Sequence, residues 1–399
     1  MRKIRKIIEK IVEGILTLSG MATTLIILLI IVFLFKEGFG FFKSPVVEKG
    51  YEVCLNSSNT VDKLSSYQIK QIFDEDITNW KEVGGADAPI TPYRFEYLFE
   101  QYDEADFGEE YKLLPAKIAE IIKADPNIIA FMPTKYVPQD LSIRTLPREN
   151  FGFVDFFFGK EWMPTATPTA QFGILPLILG TLLVSITAIL IALPLGLGVA
   201  IYLSELASKR VRKILKPVIE LLAGIPSVVY GFFGLVVLVP LVQDWFNLPV
   251  GETAFTGSLL LAIMALPTII TVAEDSMRNR PRAMREASLA LGATQWQTIY
   301  KVIIPYAKSG ISAAVVLGIG RAIGETMAVL MVTGNAAVMP TTLFEPIRSI
   351  PATIAAELGE APSGGAHYEA LFLLGCILFF LTLIISISAE VISKRHPQN

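Results

Sequence analysis

Six apolar runs of about twenty residues dominate this chain of 399, near 16–35, 174–203, 218–241, 256–273, 307–332 and 370–393. A helix rises about 1.5 Å per residue and the hydrocarbon core of a bilayer is about 30 Å thick, so each run is long enough to cross. Hydrophobic residues make up 52% of the chain and the mean hydropathy is +0.53, which excludes an ordinary soluble domain. Pro194 interrupts the second run, Gly224-Ile225-Pro226 the third, and the fourth carries Pro267. A membrane tolerates such breaks where a cavity or a neighbouring helix satisfies the freed backbone groups. The runs therefore predict a bundle built around a path.

Lysine and arginine in the short connections set the predicted orientation. Arg2, Lys3, Arg5, Lys6 and Lys10 precede the first run, and Lys209, Arg210, Arg212, Lys213 and Lys216 follow the second. Arg278, Arg280, Arg282 and Arg285 lie between the fourth and fifth, and Lys394 and Arg395 near the end. On the other side, 242–255 has no basic residue and 333–368 only Arg348. Both termini are thus expected in the cytoplasm. The first run is too long for a signal peptide and lacks a small-residue cleavage site, so it is expected to stay as an anchor.

The net charge of -3 gives no sign of nucleic-acid binding. Cys54 and Cys376 fall in different environments, and with His367 and His396 they are too few and scattered for a metal site or a disulfide framework. No Gly-x-x-x-x-Gly-Lys-Ser/Thr loop occurs, so ATP hydrolysis is not expected in this chain. Nor is there a Ser/His/Asp arrangement or a carboxylate dyad, and no cofactor is expected.

Residues 44–165 form a polar block of domain length on the predicted outer side. Its pattern is α/β. Glu52-Val53-Cys54-Leu55 reads as a strand, Ser65 with Gln68 as a capping box for a helix through Phe73, and Pro115 as the start of a helix that Pro126 stops. Ile118, Ile121 and Ile122 share one face of that helix, and Ile128-Ile129-Ala130-Phe131 returns as a buried strand. Around Ile77-Thr78-Asn79-Trp80-Lys81-Glu82-Val83-Gly84-Gly85, Pro89-Ile90 and Arg94, residues 50–147 resemble the phosphate-binding periplasmic protein. That family carries a Gly- and hydroxyl-rich ligand turn next. Here Phe95-Glu96-Tyr97-Leu98-Phe99-Glu100 and the acids Asp103, Glu104, Asp106, Glu109 and Glu110 stand instead. A reduced lobe without ligand binding is expected, either a spacer or a contact for a binding protein or the outer mouth.

Between the fourth and fifth runs lies Glu286-Ala287-Ser288-Leu289-Ala290-Leu291-Gly292, with Val302-Ile303-Ile304-Pro305 ten residues on. From the residues alone this is an amphipathic connector or a docking helix. Glu286 is expected in a first turn, where the helix dipole favours an acid. Gly292 is expected to end the helix with a positive φ, and Pro305 to restart the chain as it enters the membrane. The spacing resembles the Glu-Ala-Ala loop of ABC importer permeases, which implies a helix docked on a separate ATPase and carries that role to Glu286, Ala287, Gly292, Ala293, Trp296 and Pro305.

Arg321 and Glu325 lie four residues apart in the fifth run, hence on one helix face. A charge at mid-membrane costs about 2.5–3.5 kcal/mol on insertion scales, so both are expected to face a cavity or each other. A forked guanidinium suits an oxyanion route. The two readings are a substrate path and a structural ion pair. Thr181, Ser185, Thr187, Ser227, Thr268 and Thr271 are weaker candidates for a path, Glu220 beside Lys216 reads as a snorkelling side chain, and Trp162 and Trp245 as interface aromatics.

Trp162-Met163-Pro164, Phe172-Gly173-Ile174-Leu175-Pro176, Gly180-Thr181, Leu203-Ser204-Glu205 and Glu220 to Gly231 resemble the PstC-type permease of phosphate importers. So do Gly320-Arg321-Ala322-Ile323-Gly324-Glu325-Thr326-Met327-Ala328-Val329 and Gly334-Asn335. The resemblance covers 150–395. It implies an α-helical polytopic membrane protein with six transmembrane helices, the ABC importer type I permease fold, and a small α/β extracytoplasmic insert. The expected organisation is 1–43 for the N-terminus and first helix, 44–165 for the insert and 166–395 for the permease core. Arg321, Glu325, Thr326 and Asn335 are the implied substrate path. The implied partners are a PstA-type permease, a PstB-type ATPase dimer, a phosphate-binding protein, phosphate and the lipid bilayer, all at a bacterial inner membrane. A permease for phosphonate, sulfate or molybdate, or a membrane phosphate sensor, remains the alternative.

Overall fold

The computed structural model describes residues 2–394 other than 48, 139 and 148; the expectations placed on Arg395 and His396 lie outside the described residues. Contacts divide the chain into two compact units. One comprises Met1–Gly38, Pro176–Ala361 and Leu371–Asn399, the other Phe39–Leu175 and Pro362–Ala370.

The first unit opens with helix α1 (Arg2–Gly38), most of whose apolar side chains from Ile11 to Phe33 are exposed. The second unit then contributes β1 (Tyr51–Asn56), α2 (Ser66–Phe73), β2 (Thr91–Arg94), α3 (Tyr97–Gln101), α4 (Leu114–Ala124), β3 (Ile128–Pro133), β4 (Ile143–Thr145), α5 (Phe153–Phe158), β5 (Trp162–Met163) and β6 (Gln171–Phe172). Its main sheet has the order β2-β3-β1-β4. β2 and β3 are parallel, as a crossover through α4 requires, while β1 pairs antiparallel with β3 and β4. Strand residues alternate between two cores. Val53, Leu55, Ile129 and Phe131 pack with Ile69, Ile72 and Trp80 on one face. Cys54, Ala130 and Met132 pack with Leu98, Ile118 and Ile122 on the other. The capping box at Ser65 and Gln68 is formed as the sequence predicts, and Pro115 occupies the first turn of α4. Trp162 departs from expectation: it is 2% exposed within the second unit, so it is a core residue and not an interface aromatic.

The first unit resumes with α6 (Leu175–Ile201), α7 (Lys209–Ala223), α8 (Ser227–Phe233), α9 (Val239–Phe246), α10 (Ala254–Arg278), α11 (Arg282–Ala290), α12 (Gln295–Thr298), α13 (Ile304–Tyr306), α14 (Lys308–Gly324), α15 (Met327–Val332), α16 (Ile350–Glu357) and α17 (Ala366–Lys394). Among the described residues five helices are long and apolar enough to cross a membrane, or six if the pair Gln295–Tyr306 and Lys308–Gly324, bent by 70°, is one span. Pro194 and Pro267 do not interrupt their spans, since α6 and α10 run through them. Gly224-Ile225-Pro226 does break the chain, so the third span starts at Ser227 and not near 218. α7 is a separate amphipathic helix with no buried residue. The fifth span ends at Gly324, eight residues short of the predicted 332.

α10 is the centre of this unit. Leu260, Leu261 and Met264 pack with Val184, Ala188 and Ala192 of α6, Ala322 of α14, and Val329 and Val332 of α15. Close approach depends on glycine, the usual device where lipid supplies no hydrophobic drive. Ile269 of α10 fills the space beside Gly196 and Gly318. A Cβ on either would come within 2.8 Å and 3.0 Å of it, respectively. At the other side of the unit, Phe33 and Phe35 of α1 meet Phe372 and Phe380 of α17 edge to face, each pair 5.5 Å between ring centroids.

Candidate functional site

The loop after α10 forms two short helices held at a fixed angle. Pro281 precedes α11 in extended conformation, a position where its missing N–H costs nothing. Glu286 therefore falls in the second turn, because the helix begins four residues earlier than the Glu-Ala pair alone suggests. Gly292 has φ +82°, and its N–H bonds to Leu289 O (3.0 Å) while that of Ala293 bonds to Ser288 O (3.2 Å). This is the paired closure of a left-handed helix end. Thr294 and Gln297 then cap α12 reciprocally, and the Ser288 and Thr298 hydroxyls, 2.9 Å apart, tie the two helices together. Pro305 lies within α13, and the membrane helix restarts only after Ala307, at Lys308, across the bend. Glu286, Ala287 and Gly292 are exposed and Ala293 half-buried. Leu291 (89%) and Trp296 (61%) present bare apolar surface beside them.

The opposite side of the loop is anchored. Arg280 grips Glu205 with both arms, at 2.5 Å and 2.7 Å, and donates to Met277 O. Gln295 donates to Glu205 O at 3.2 Å. A second buried carboxylate, Glu274, stands in ion-pair contact with Arg212 (2.5 Å) and accepts a hydrogen bond from Lys216 (2.8 Å), both of α7. Lys216 also reaches Asp275 at 2.7 Å, while Glu220 is exposed. Sequence reasoning met Glu205 only as one letter of a family pattern. Its signal was an acid at the end of an apolar run facing an arginine-rich loop.

The four path candidates occupy different settings. α14 ends at Gly324, and Glu325 is extended (φ −72°, ψ 130°), so Arg321 and Glu325 do not share a helix face. Among the described residues no hydrogen bond or ion pair links any two of Arg321, Glu325, Thr326 and Asn335. Arg321 Nη1 donates to Thr268 Oγ1 on α10 at 3.4 Å. Glu325 Oε1 accepts the Ala328 N–H at 3.4 Å, at the start of α15, and lines a narrow void with Thr181, Ser185 and Ser349. Thr326 and Gly324 line an open hollow of about 520 Å³ with Pro351, Ile354, Ala355 and Leu358. Thr181 is fully engaged, donating to Leu177 O (2.7 Å) and accepting the Ile350 N–H (2.9 Å). Asn335 holds Arg348, whose Nε reaches its O (3.0 Å) and Oδ1 (2.9 Å). Arg348 Nη1 pairs with Glu357 at 2.5 Å. That arginine, which sequence reasoning used only to count charge, links the Gly334-Asn335 turn to α16.

In the α/β unit, Arg94 is consumed locally. Its Nη1 donates to Thr167 O and Oγ1, its Nη2 to Phe73 O, and its guanidinium lies over the Phe73 ring. The following segment folds into α3, with Leu98 fully buried.

Comparison with known proteins adds to this geometry. The family described as "Binding-protein-dependent transport system inner membrane component" matches residues 192–396. The "Probable ABC transporter permease protein YqgH" of Bacillus subtilis is 40% identical over 243 residues, 61% of this chain and 78% of that protein. The "Phosphate transport system permease protein PstC" of Pasteurella multocida is 40% identical over 264 residues, 61% of this chain and 81% of that protein. Among solved structures, a bacterial alginate ABC transporter with its pentasaccharide-bound periplasmic protein matches with a TM-score of 0.45 and 20% identity. That match covers 61% of this chain and 83% of the other.

Proposed function

The chain belongs to the family of binding-protein-dependent inner-membrane transport components, and on that premise we propose how it works. It is the permease subunit of an ATP-driven phosphate importer, and ATP hydrolysis belongs to a separate subunit. The observation that carries the coupling half of this reading is the α11–α12 pair, anchored through Arg280 and Gln295 yet bare at Glu286, Leu291 and Trp296. Such a ridge fits a groove on a nucleotide-binding partner, an amphipathic helix laid into an apolar cleft.

Our reading places the basic loops and both termini in the cytoplasm, with 44–165 as an outer insert and 166–395 as the permease core. The transporter is completed by a PstA-type permease, two PstB-type ATPases and a phosphate-binding protein. Closure of the ATPases carries α11 and α12, through Glu286, Ala287, Gly292, Ala293 and Trp296, and Pro305 follows at the base of the bent span. The spans rock and open toward the binding protein. Phosphate then passes Arg321, whose guanidinium commits one of its five donors to Thr268. Glu325 and Thr326 border the route where α14 breaks, and Asn335 shapes the turn beyond. Arg321 is not held neutral by Glu325, so the anion itself supplies its counter-charge.

The insert is a lobe without an anion site of its own, since Arg94 is taken up by Phe73 and Thr167 and α3 fills the stretch after it.

The test is assembly. The chain, co-expressed with the three other subunits and reconstituted in liposomes, is expected to show ATP hydrolysis stimulated by the phosphate-loaded binding protein. Stimulation by sulfate- or molybdate-loaded binding proteins alone would replace phosphate with that anion.

A further inference from the structure

We propose that Glu205 is the positioning residue through which movement of the loop reaches the second span; this rests on the import reading above. The residue lies in a wide π-type turn, Tyr202–Leu206, where α6 ends. There its side chain is 1% exposed. Four elements meet on this one residue. Both carboxylate oxygens accept the fork of Arg280, which also closes the end of α10 through Met277 O. Arg285 of α11 stands 3.9 Å from Oε2. The backbone carbonyl accepts from Gln295, the first residue of α12.

Among the described residues the side chains of Glu286 and Leu291 make no comparable contact. Glu286 and Leu291 are exposed, so the loop is fastened to its own chain chiefly along this side. Bidentate Arg–carboxylate bonding fixes orientation as well as distance. A push on α11 or α12 therefore turns Arg280 and Glu205 as one piece, and the end of α6 moves with them. The wide turn at Tyr202–Leu206 leaves that end able to take up a rotation, since π-type turns interrupt the regular ladder. Glu274 makes a useful contrast. It is just as buried and carries two cations, but it fastens α7 to α10, and among the described residues it has no ion pair to either loop helix.

Glu205→Gln keeps shape and volume and removes the charge. In the complete reconstituted transporter we expect ATP hydrolysis to stay within about twofold of wild type while phosphate imported per ATP falls at least fivefold. Half-saturation by the loaded binding protein should not move. Arg280→Lys, which keeps the charge and loses the fork, should fall in between, and Glu274→Gln should keep the wild-type ratio. An unchanged ratio in an assembled Glu205→Gln complex, or an equal fall in Glu274→Gln, would overturn the assignment. A second readout needs no transport. Spin labels at Leu206→Cys and Ala290→Cys should give one narrow distance distribution in the parent protein and a broadened one with Glu205→Gln. An equally narrow distribution would also overturn it. A parent protein that imports no phosphate would sink the import reading, leaving the label distances to judge the clamp.

Discussion

Arg321 donates to the hydroxyl of Thr268 across the α14–α10 interface, 3.4 Å away, and makes no ion pair with Glu325. The contact is long and single, so the guanidinium is held in place without being neutralised. A charge in that condition inside a membrane bundle needs a mobile anion or water beside it.

Arg321→Lys is expected to lower phosphate import about tenfold or more while the complex still assembles. The loss is that of one or more charge-assisted hydrogen bonds, each about 1.5–3 kcal/mol, because an ammonium cannot present the planar fork. Labelled phosphate uptake at matched protein level measures it. Full uptake would assign Arg321 to packing alone.

Gly292→Ala tests the loop. No atom lies within 4 Å of the added Cβ, so the whole effect comes from φ +82°. A residue with a side chain held there costs about 1–2 kcal/mol. The helix end should loosen and import per ATP should drop several-fold, with membrane insertion unchanged. Wild-type coupling would show that the angle between α11 and α12 is not used.

Glu357→Gln removes the charge partner of Arg348, both side chains being mostly buried (14% and 18% exposed). The Asn335 turn and α16 should come apart more readily. A stability loss of about 2 kcal/mol is expected for a hydrogen bond to a charged group, read as a melting temperature lowered by several degrees in detergent. Arg348→Lys should show a similar fall, since one ammonium cannot reach Asn335 twice and Glu357 as well.

Cys54 supplies a chemical probe of the α/β unit. Burial, with the charge of Glu52 adding to it, pushes its thiol pKa up to about 12. The thiolate is the reactive form, so alkylation of the native protein should be negligible at pH 8 and rapid after denaturation. The folded thiol keeps its proton through the whole range in which an unfolded one loses it. Folding stability attributable to this group therefore declines as pH rises above about 9 toward 12. Rapid native labelling at pH 8 would contradict the burial of β1.

Much of this was legible in the sequence because it is local or periodic. Twenty-residue apolar runs mark spans, Ser65 and Gln68 mark a helix start, and glycine at position 292 marks a left-handed stop. What was not legible depends on where a helix gives way. Gly324 and Glu325 read as continuous apolar helix, yet the chain turns extended there and parts Arg321 from Glu325. Pro194 and Pro267 read as breaks, yet packing around α6 and α10 carries both helices through. Glu205 and Arg280 are 75 residues apart, and no local pattern joins them. Arg348 looked like a stray charge because its partners, Asn335 and Glu357, lie on two other elements.

Uptake of labelled phosphate decides whether this chain passes phosphate through a membrane. Cells lacking only this chain are compared with the same cells expressing it, with the protein verified in the membrane. Uptake should be restored by expression, abolished by excess unlabelled phosphate and untouched by sulfate. Equal uptake with and without the chain would contradict phosphate passage through it.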